Sequence, residues 1–259
     1  MMTVRTLAAG ALMATILSGC VAPVVVTQPA RGPVQVPVAR TQPEPAATAP
    51  APAYQSPEEA ARSFVTVIRT MEPAIERECL LRRTTPINCD YQFVVDDRPG
   101  LEPNAFQTIG RDGRPVIGFT LSLLAAAQND DEIAFVVGHE ASHHILNHLS
   151  QRQNAASAGA VILTGIAAAS GVDPSSLEVA QRVGAQVGAR YYSKEWELQS
   201  DYLGAIIAFK GGYDPARGAR FFARMPDPGD RILGSHPSRA AREQQVTRAV
   251  ADVMSGRAS

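Results

Sequence analysis

The chain has 259 residues, a formal net charge of −1, and 45% hydrophobic against 19% charged residues. This length suits one domain with appendages, and the composition is that of an ordinary globular protein. A net charge so close to zero, without a run of basic residues, gives no reason to expect a nucleic acid as partner.

The first 19 residues have the pattern of a bacterial export signal. Arg5 gives the positive start, and residues 7–17 form an apolar stretch shorter than the about 20 residues that span a membrane. The sequence Leu-Ser-Gly-Cys at residues 17–20 resembles the lipobox, whose cysteine receives a diacylglycerol and becomes the mature N-terminus. We therefore expect Cys20 to be lipidated, and a plain signal peptide with a chance cysteine is the alternative.

The residues after Cys20 predict where the domain is held. Position 21 is Val rather than the Asp that, by resemblance, would signal retention at the inner membrane. We expect a periplasm-facing lipoprotein at the outer membrane, with the lipid as its only membrane attachment. Residues 20–55 are rich in Pro and Ala, which favours an extended tether, and residues 56–259 are expected to form the domain.

The domain is predicted to begin with a helix. Ser56 is a good N-cap, a proline follows it, and Glu59 stands at the third position, so the helix is expected to run to about Arg82. Strands are predicted over 91–95 and 115–120.

A turn and a second helix follow in the sequence. Residues 111–114, Arg-Asp-Gly-Arg, predict the turn between two strands. Asn129 and the three acidic residues after it predict the start of another helix, because carboxylates suit its positive end.

Cys79 and Cys89 are the cysteines left after lipidation. In an exported protein such a pair is expected to form a disulfide, which here would close a small loop between the first helix and the first strand. Two buried free thiols are the alternative.

The helix after Asn129 contains His-Glu-Ala-Ser-His at residues 139–143. His139 and His143 share one face of a helix, where two imidazoles can bind one metal ion. Glu140 follows His139 directly, and binding the same metal ion from there would strain the chain. It lies close enough to take the proton of a water molecule that attacks a carbonyl. The motif predicts a zinc metallopeptidase.

The third ligand is not supplied by the same helix. A metzincin would have Gly and His at two positions that are Leu146 and Leu149 here, so that class is excluded. His144 and His148 lie off the ligand face of the predicted helix, so we expect them to be surface or packing residues.

A later helix is predicted to supply the third ligand. Glu197 and Asp201 are four residues apart, so Glu197 can complete a two-His-one-Glu set while Asp201 accepts the N–H of a ligating imidazole. Glu195 is the rival ligand, but it has no acidic partner four residues on.

These motifs give the chain a specific resemblance. It resembles the gluzincin peptidase family that includes the HtpX heat-shock protease and the CAAX prenyl protease, and within it the periplasmic lipoprotein type (LoiP/BepA-like). It departs from the family at Gln199 and Ser200, which leaves the partners of the ligands open. The similar stretches, which follow the family's order over most of residues 56–250, are 104–106, 131–148, 192–201, 211–215 and 235–242.

The resemblance implies the roles of the site residues. It implies one Zn²⁺ per chain, held by the three ligands named above, with Glu140 as the catalytic base. It also places His236 and Arg242 near the metal. His236 is then a catalytic donor to an oxyanion, or a ligand to the open metal position, or a cap of the final helix.

The substrate is expected to bind as an extended chain. Endopeptidases of this type commonly add it to a sheet edge, for which strand 115–120 is the candidate, with Asn104, Ala105 and Phe106 lining the groove. Since backbone pairing reads few side chains, unfolded or misfolded polypeptides are the expected substrates. Residues 155–171 are small and apolar, and they form a packing helix, a mobile flap or a surface that touches a membrane or its proteins.

The expected fold is α+β and zincin-like, mainly helical with a small antiparallel sheet beside the zinc helix. The expected function is that of a zinc endopeptidase for quality control of periplasmic and outer-membrane proteins, with an outer-membrane protein or assembly machinery as candidate partner. A latent zincin that acts mainly as an envelope chaperone or assembly factor is the alternative. A second and weaker alternative is a lipoprotein whose zinc ion serves only to stabilise the fold.

Overall fold

The computed structural model describes residues 57–224 and 237–258. For residues 57 and 58 it describes the backbone alone. The export signal, Cys20, the tether and His236 lie outside the described residues. The expectations for them therefore stay predictions.

The described residues form a mainly helical α+β fold with one small sheet, and this part of the fold prediction is confirmed. In chain order the elements are α1 (Pro57–Arg82), β1 (Gln92–Asp96), β2 (Ala105–Ile109), β3 (Pro115–Thr120), α2 (Leu121–Ala126), α3 (Asp130–Ile145), α4 (His148–Ala169), α5 (Pro174–Tyr191), α6 (Ser193–Lys210), α7 (Pro215–Gly218), α8 (Arg220–Ala223) and α9 (Arg239–Met254).

The sheet has the strand order β1-β3-β2, so its central strand is β3. β1 pairs with β3 in parallel, and β2 pairs with β3 antiparallel. The prediction that strand 115–120 is an edge is therefore wrong, and the small sheet is mixed where an antiparallel one is expected. The chain leaves β1, forms β2 on the far side, and returns by a hairpin to fill the middle, which makes β3 run alongside β1. Among the described residues β2 pairs with β3 alone, so β2 is an edge strand.

The hairpin between β2 and β3 closes at the turn that the sequence predicts over residues 111–114. The Gly110 N–H donates to the Arg114 carbonyl at 2.8 Å, and Gly113 has a φ of 79°. This φ lies in the left-handed region, which glycine adopts without steric strain. The glycine therefore allows the tight return that brings β3 back beside β2.

Helix α1 is fastened to the rest of the domain at its C-terminal end. A disulfide joins Cys79 to Cys89 and ties the helix to the segment that leads into β1. Glu78 is buried and accepts hydrogen bonds of 2.6 Å from Arg82 and from Lys210 on α6. Burial favours the neutral acid, but the two cations hold the pKa of Glu78 below its ordinary value. The charged cluster thus links α1 to α6.

Helix α3 runs through the middle of the domain. The Asn129 side chain accepts a hydrogen bond of 3.1 Å from the Glu132 N–H, which is the N-cap that the sequence predicts. Most residues of α3 are buried, and the helix contacts α1, α6, β2 and β3. Packing on so many sides fixes the directions of its side chains.

Helices α3 and α6 are in direct backbone contact where they cross. A Cβ added to Gly138 would lie 2.7 Å from the carbonyl oxygen of Gly204, and one added to Gly204 would lie 2.7 Å from the backbone nitrogen of His139. No other residue type leaves room for this approach. The crossing therefore sets how closely side chains of the two helices can meet.

Helices α4 and α5 pack against each other as a hairpin of small residues. A Cβ on Gly159 would lie 2.2 Å from the Gly184 carbonyl oxygen, and one on Gly188 would lie 2.0 Å from that of Ala155. Residues 155–171 thus belong largely to a helix that packs on α5, as one of the alternatives expects. No helix in the described part of the chain is long and apolar enough to cross a membrane.

We expect Gly204→Ala to lower the free energy of unfolding by about 1–3 kcal/mol, because the new methyl group meets the backbone of α3. The matched control is Gly165→Ala on α4, where an added Cβ meets nothing within 4 Å. There the better helix propensity of alanine is expected to leave stability unchanged or raise it by up to about 1 kcal/mol. Urea unfolding followed by circular dichroism measures both, and equal effects of the two changes would contradict the backbone contact.

Candidate metal centre

The described residues contain one group of three side chains able to hold a metal ion, formed by His139, His143 and Glu197. The two histidines lie one turn apart on α3, and Glu197 comes from the first turns of α6. Glu195, the rival from sequence, is exposed and instead accepts a hydrogen bond from Gln199 at 3.2 Å. The structure therefore brings together the three residues expected from sequence and leaves Glu195 outside the group.

The donor atoms of the three side chains lie within 4.8 Å of one another, and we call this group the donor triangle. The Nε2 atoms of His139 and His143 are 3.1 Å apart, and they lie 3.5 Å and 3.4 Å from the two carboxylate oxygens of Glu197. Ligands at zinc distances of 2.0–2.1 Å around a tetrahedral ion are about 3.3–3.4 Å from one another. Two imidazoles and one carboxylate at this spacing fit zinc and leave a fourth position for water or substrate.

The electrostatics of the site also suit a cation. Burial opposes a charge on His139, but the carboxylates of Asp201 and Glu197 outweigh it and raise the pKa of His139 to about 10. The group thus stabilises a positive charge at the position between its acidic residues.

Asp201 and Arg242 orient the first ligand. Asp201 is fully buried, and its Oδ1 accepts the Nδ1–H of His139 at 2.9 Å, so Nε2 is the nitrogen that faces the donor triangle. Arg242 on α9 donates to both Asp201 oxygens at 2.6 and 2.7 Å. Burial favours the neutral acid, but these hydrogen bonds hold the pKa of Asp201 below its ordinary value. Arg242 is also fixed from the other side, since its guanidinium lies 3.3 Å from the ring centroid of Phe222.

His148 lies at the centre, contrary to what the helical wheel suggests. Its Nδ1 is 3.0 Å from Nδ1 of His143, and only 3% of the residue is exposed. The wheel fails because α3 ends at Ile145, and Asn147 turns the chain with a φ of 58° before α4 begins. Asn is one of the few residues that adopt this left-handed conformation readily. Asn147 is therefore the feature of the sequence that could have indicated a break between two helices. Burial and the neighbouring His143 lower the pKa of His148 to about 4, so it is neutral at neutral pH.

His144 points away from the metal centre. Its Nε2 lies 2.7 Å from the Asn88 carbonyl oxygen, to which it donates, and its ring packs edge-on against Tyr91. It is a buried packing residue between α3 and the segment before β1, in agreement with the packing role expected from sequence.

Glu140 faces the cleft beside the two histidines. Burial raises its pKa above the ordinary value, although the imidazoles of His139 and His143 oppose that shift. A carboxylate with a raised pKa is a better proton acceptor, which is the property a general base needs.

A cleft of about 570 Å³ opens over the donor triangle. Its lining includes Asn104, Ala105 and Phe106, which sequence places in the groove, and also Arg190 and Trp196. A second cleft continues along β2 past Gln107 to Ile109, and it shares Gln107, His143 and Leu149 with the first. Between them the two clefts are lined by every residue of β2.

The backbone of β2 can still accept a partner strand on this edge. The Thr120 N–H donates to the Asn104 carbonyl, and the Gly110 N–H donates to the Arg114 carbonyl, so the even-numbered residues of β2 are the ones bonded to β3. Ala105, Gln107 and Ile109 therefore turn their N–H and C=O groups outward.

Comparison with known proteins agrees with this geometry. The model of Peptidase family M48 matches residues 68–250, more than half of the chain and the whole of the described donor triangle. The chain is also similar to the protein named mitochondrial metalloendopeptidase OMA1 of Saccharomyces cerevisiae, with 29% identity over 135 residues. That match covers 51% of this chain and 36% of the relative, so the chain spans about a third of the length of that protein.

Proposed function

This chain belongs to peptidase family M48, and from that premise we propose that it is a zinc-dependent endopeptidase of the bacterial cell envelope. The observation that carries the proposal is the triangle of His139, His143 and Glu197 donor atoms, with Glu140 beside it in an open cleft. The LoiP/BepA-like lipoprotein type remains the subtype that we propose, on the strength of the motifs in the sequence.

Each residue of the metal centre has a separate role in the proposed hydrolysis of a peptide bond. Bound zinc would supply an acidified water molecule and polarise the scissile carbonyl. Glu140 takes the proton of the attacking water and delivers it to the leaving amine. Asp201, clamped by Arg242, keeps the His139 ring oriented throughout. His236 stays a predicted donor to the oxyanion.

The edge of β2 is the proposed binding site for the substrate backbone. Three outward-facing residues at alternate positions offer N–H and C=O groups to an extended chain, beside the cleft that holds Glu140. Most strands of a folded protein are already paired within it, whereas an unfolded chain can lie extended along this edge. We therefore propose unfolded or misfolded envelope proteins as substrates.

The lipid anchor on Cys20 and the outer-membrane location are part of the proposal. Their support is the lipobox-like sequence at residues 17–20 and the disulfide between Cys79 and Cys89, because disulfides persist in oxidising compartments such as the periplasm. An outer-membrane protein or assembly machinery is the proposed partner there.

Glu140→Gln is expected to reduce casein cleavage by at least about 100-fold while one zinc per chain is retained, since it removes the base and leaves the ligands in place. The matched control is Glu178→Gln, an exposed residue on α5, which is expected to cleave normally. Zinc content by atomic absorption and fluorescent casein release are the measurements. A Glu140→Gln chain that still performs its role in cells would favour the chaperone alternative.

Gln107→Pro is expected to raise KM for an unfolded substrate roughly five-fold, the equivalent of one hydrogen bond of about 1 kcal/mol. Proline removes the outward N–H and leaves the ladder to β3 intact. Gln107→Ala controls for the side chain, and Thr108→Pro, which removes an inward N–H, is expected to lower stability instead. If Gln107→Pro and Gln107→Ala had the same KM, substrate pairing with β2 would be refuted.

Cys20→Ser is expected to move the full-length protein from the membrane fraction to the soluble periplasmic fraction, because the lipid is the proposed attachment. Val21→Asp is the companion variant, expected to shift the lipidated protein from the outer to the inner membrane. Membrane separation on a sucrose gradient followed by immunoblotting reads both. Persistence of the serine variant in the outer membrane would rule out the anchor.

A further inference from the structure

The two histidine ligands are held by partners of different kinds. The partner of His139 is the Asp201 carboxylate, which can only accept, so the proton lies on His139 Nδ1. The partner of His143 is another imidazole, since its Nδ1 lies 3.0 Å from Nδ1 of His148. Either of these two nitrogens can carry the one proton of that bond. The pair alone therefore does not decide whether His143 presents a lone pair or an N–H to the metal position.

The direction of this hydrogen bond is set from the protein surface. Gln199 Nε2 lies 3.2 Å from a carboxylate oxygen of Glu195, which accepts, so the amide NH₂ of Gln199 faces Glu195. The amide oxygen then faces Nε2 of His148 at 3.1 Å. An amide oxygen only accepts, so His148 carries its proton on Nε2, and its Nδ1 is an acceptor.

His143 is consequently the donor to His148. With its proton on Nδ1, His143 directs the Nε2 lone pair at the donor triangle, where the Glu197 oxygen is 3.4 Å away. The Ser200 hydroxyl, 3.3 Å from the same Nδ1 of His148, is compatible, because a hydroxyl can donate to that acceptor. The His148 ring is held in place by stacking on Trp196, with ring centroids 6.0 Å apart.

We propose that Glu195, Gln199 and His148 form a chain of positioning residues that fixes the tautomer of His143 and so strengthens metal binding. The proposal rests on the proposed function in taking His143 as a zinc ligand. The three residues act through His143 and not on the substrate. They assign a role to Gln199 and to Glu195, the acidic residue that lies outside the metal group.

The first test removes the acceptor that Gln199, an exposed residue, offers to His148. Gln199→Lys places a side chain that can only donate opposite His148, so His148 loses the acceptor that keeps its proton on Nε2. We expect the zinc dissociation constant of the Gln199→Lys chain to rise about 10–100-fold, which is the usual effect of removing a hydrogen-bond partner behind a metal ligand. Gln199→Glu still accepts from His148, and its zinc affinity is expected to stay within about three-fold of that of the natural chain.

The second test removes the imidazole partner itself. His148→Phe keeps a ring against Trp196 but has no acceptor, and the same 10–100-fold loss of zinc affinity is expected. His148→Gln offers an amide oxygen to His143 and is expected to recover most of that loss. The matched control is His144→Phe, a buried histidine next to His143 whose hydrogen bond leads to Asn88, and its zinc affinity is expected to be unchanged.

Zinc affinity is measured by competition with a chromogenic chelator, and ¹⁵N–¹H spectra of the imidazoles report the tautomer of His148 directly. The proposal requires His148 protonated on Nε2 in the zinc-loaded natural chain. A proton on Nδ1, or zinc affinity unmoved by both Gln199→Lys and His148→Phe, would overturn it while the metallopeptidase function stood. A natural chain that bound no zinc would overturn the proposed function, and this inference with it.

Discussion

The backbone contact between α3 and α6 at Gly138 and Gly204 is the constraint on which the metal centre depends. An imidazole or a carboxylate reaches only a few ångströms from its helix, so the spacing of α3 and α6 sets how closely their donor atoms meet. Because a Cβ at either glycine would come within 2.7 Å of the other backbone, the helices meet at the closest approach that the chain allows. The histidines of α3 and the glutamate of α6 then converge to within 3.5 Å. One turn further on, the same closeness lets Asp201 reach His139.

Buried charge at the centre is balanced across three helices. Asp201 is fully buried with Arg242, and a buried pair of this kind contributes little net stability, because desolvation offsets most of the attraction. The pair instead fixes the geometry of the centre. Arg242 holds the Asp201 carboxylate at both oxygens, and this carboxylate in turn orients the His139 ring. Arg242 lies 2.6 Å from an Asp201 oxygen and 3.8 Å from a Glu197 oxygen, and a bound divalent cation would add positive charge beside these carboxylates.

The sequence predicted what depends on local spacing. The N-cap at Asn129, the histidines four residues apart and the acidic pair of the later helix follow from the helical repeat, and the structure contains all of them. Strand order could not be obtained in this way, because the place of β3 between β1 and β2 depends on how the chain crosses the sheet. His148 was misjudged because a helical wheel assumes one continuous helix, whereas Asn147 interrupts it. His236 lies outside the described residues, so its role rests on resemblance alone.

The position of the donor triangle along the β2 edge bears on the kind of peptidase that the site suits. An enzyme that removes terminal residues needs a cleft closed on one side, where a charged terminus can be held. Here two clefts meet at His143 and Gln107, and they extend towards Asn104 in one direction and Ile109 in the other. A chain paired with Ala105, Gln107 and Ile109 would therefore pass the centre and continue on both sides of the scissile bond. Among residues 57–224 and 237–258 the clefts are open in both directions, as cleavage within a polypeptide requires, and this follows from β2 being the edge and β3 the middle of the sheet.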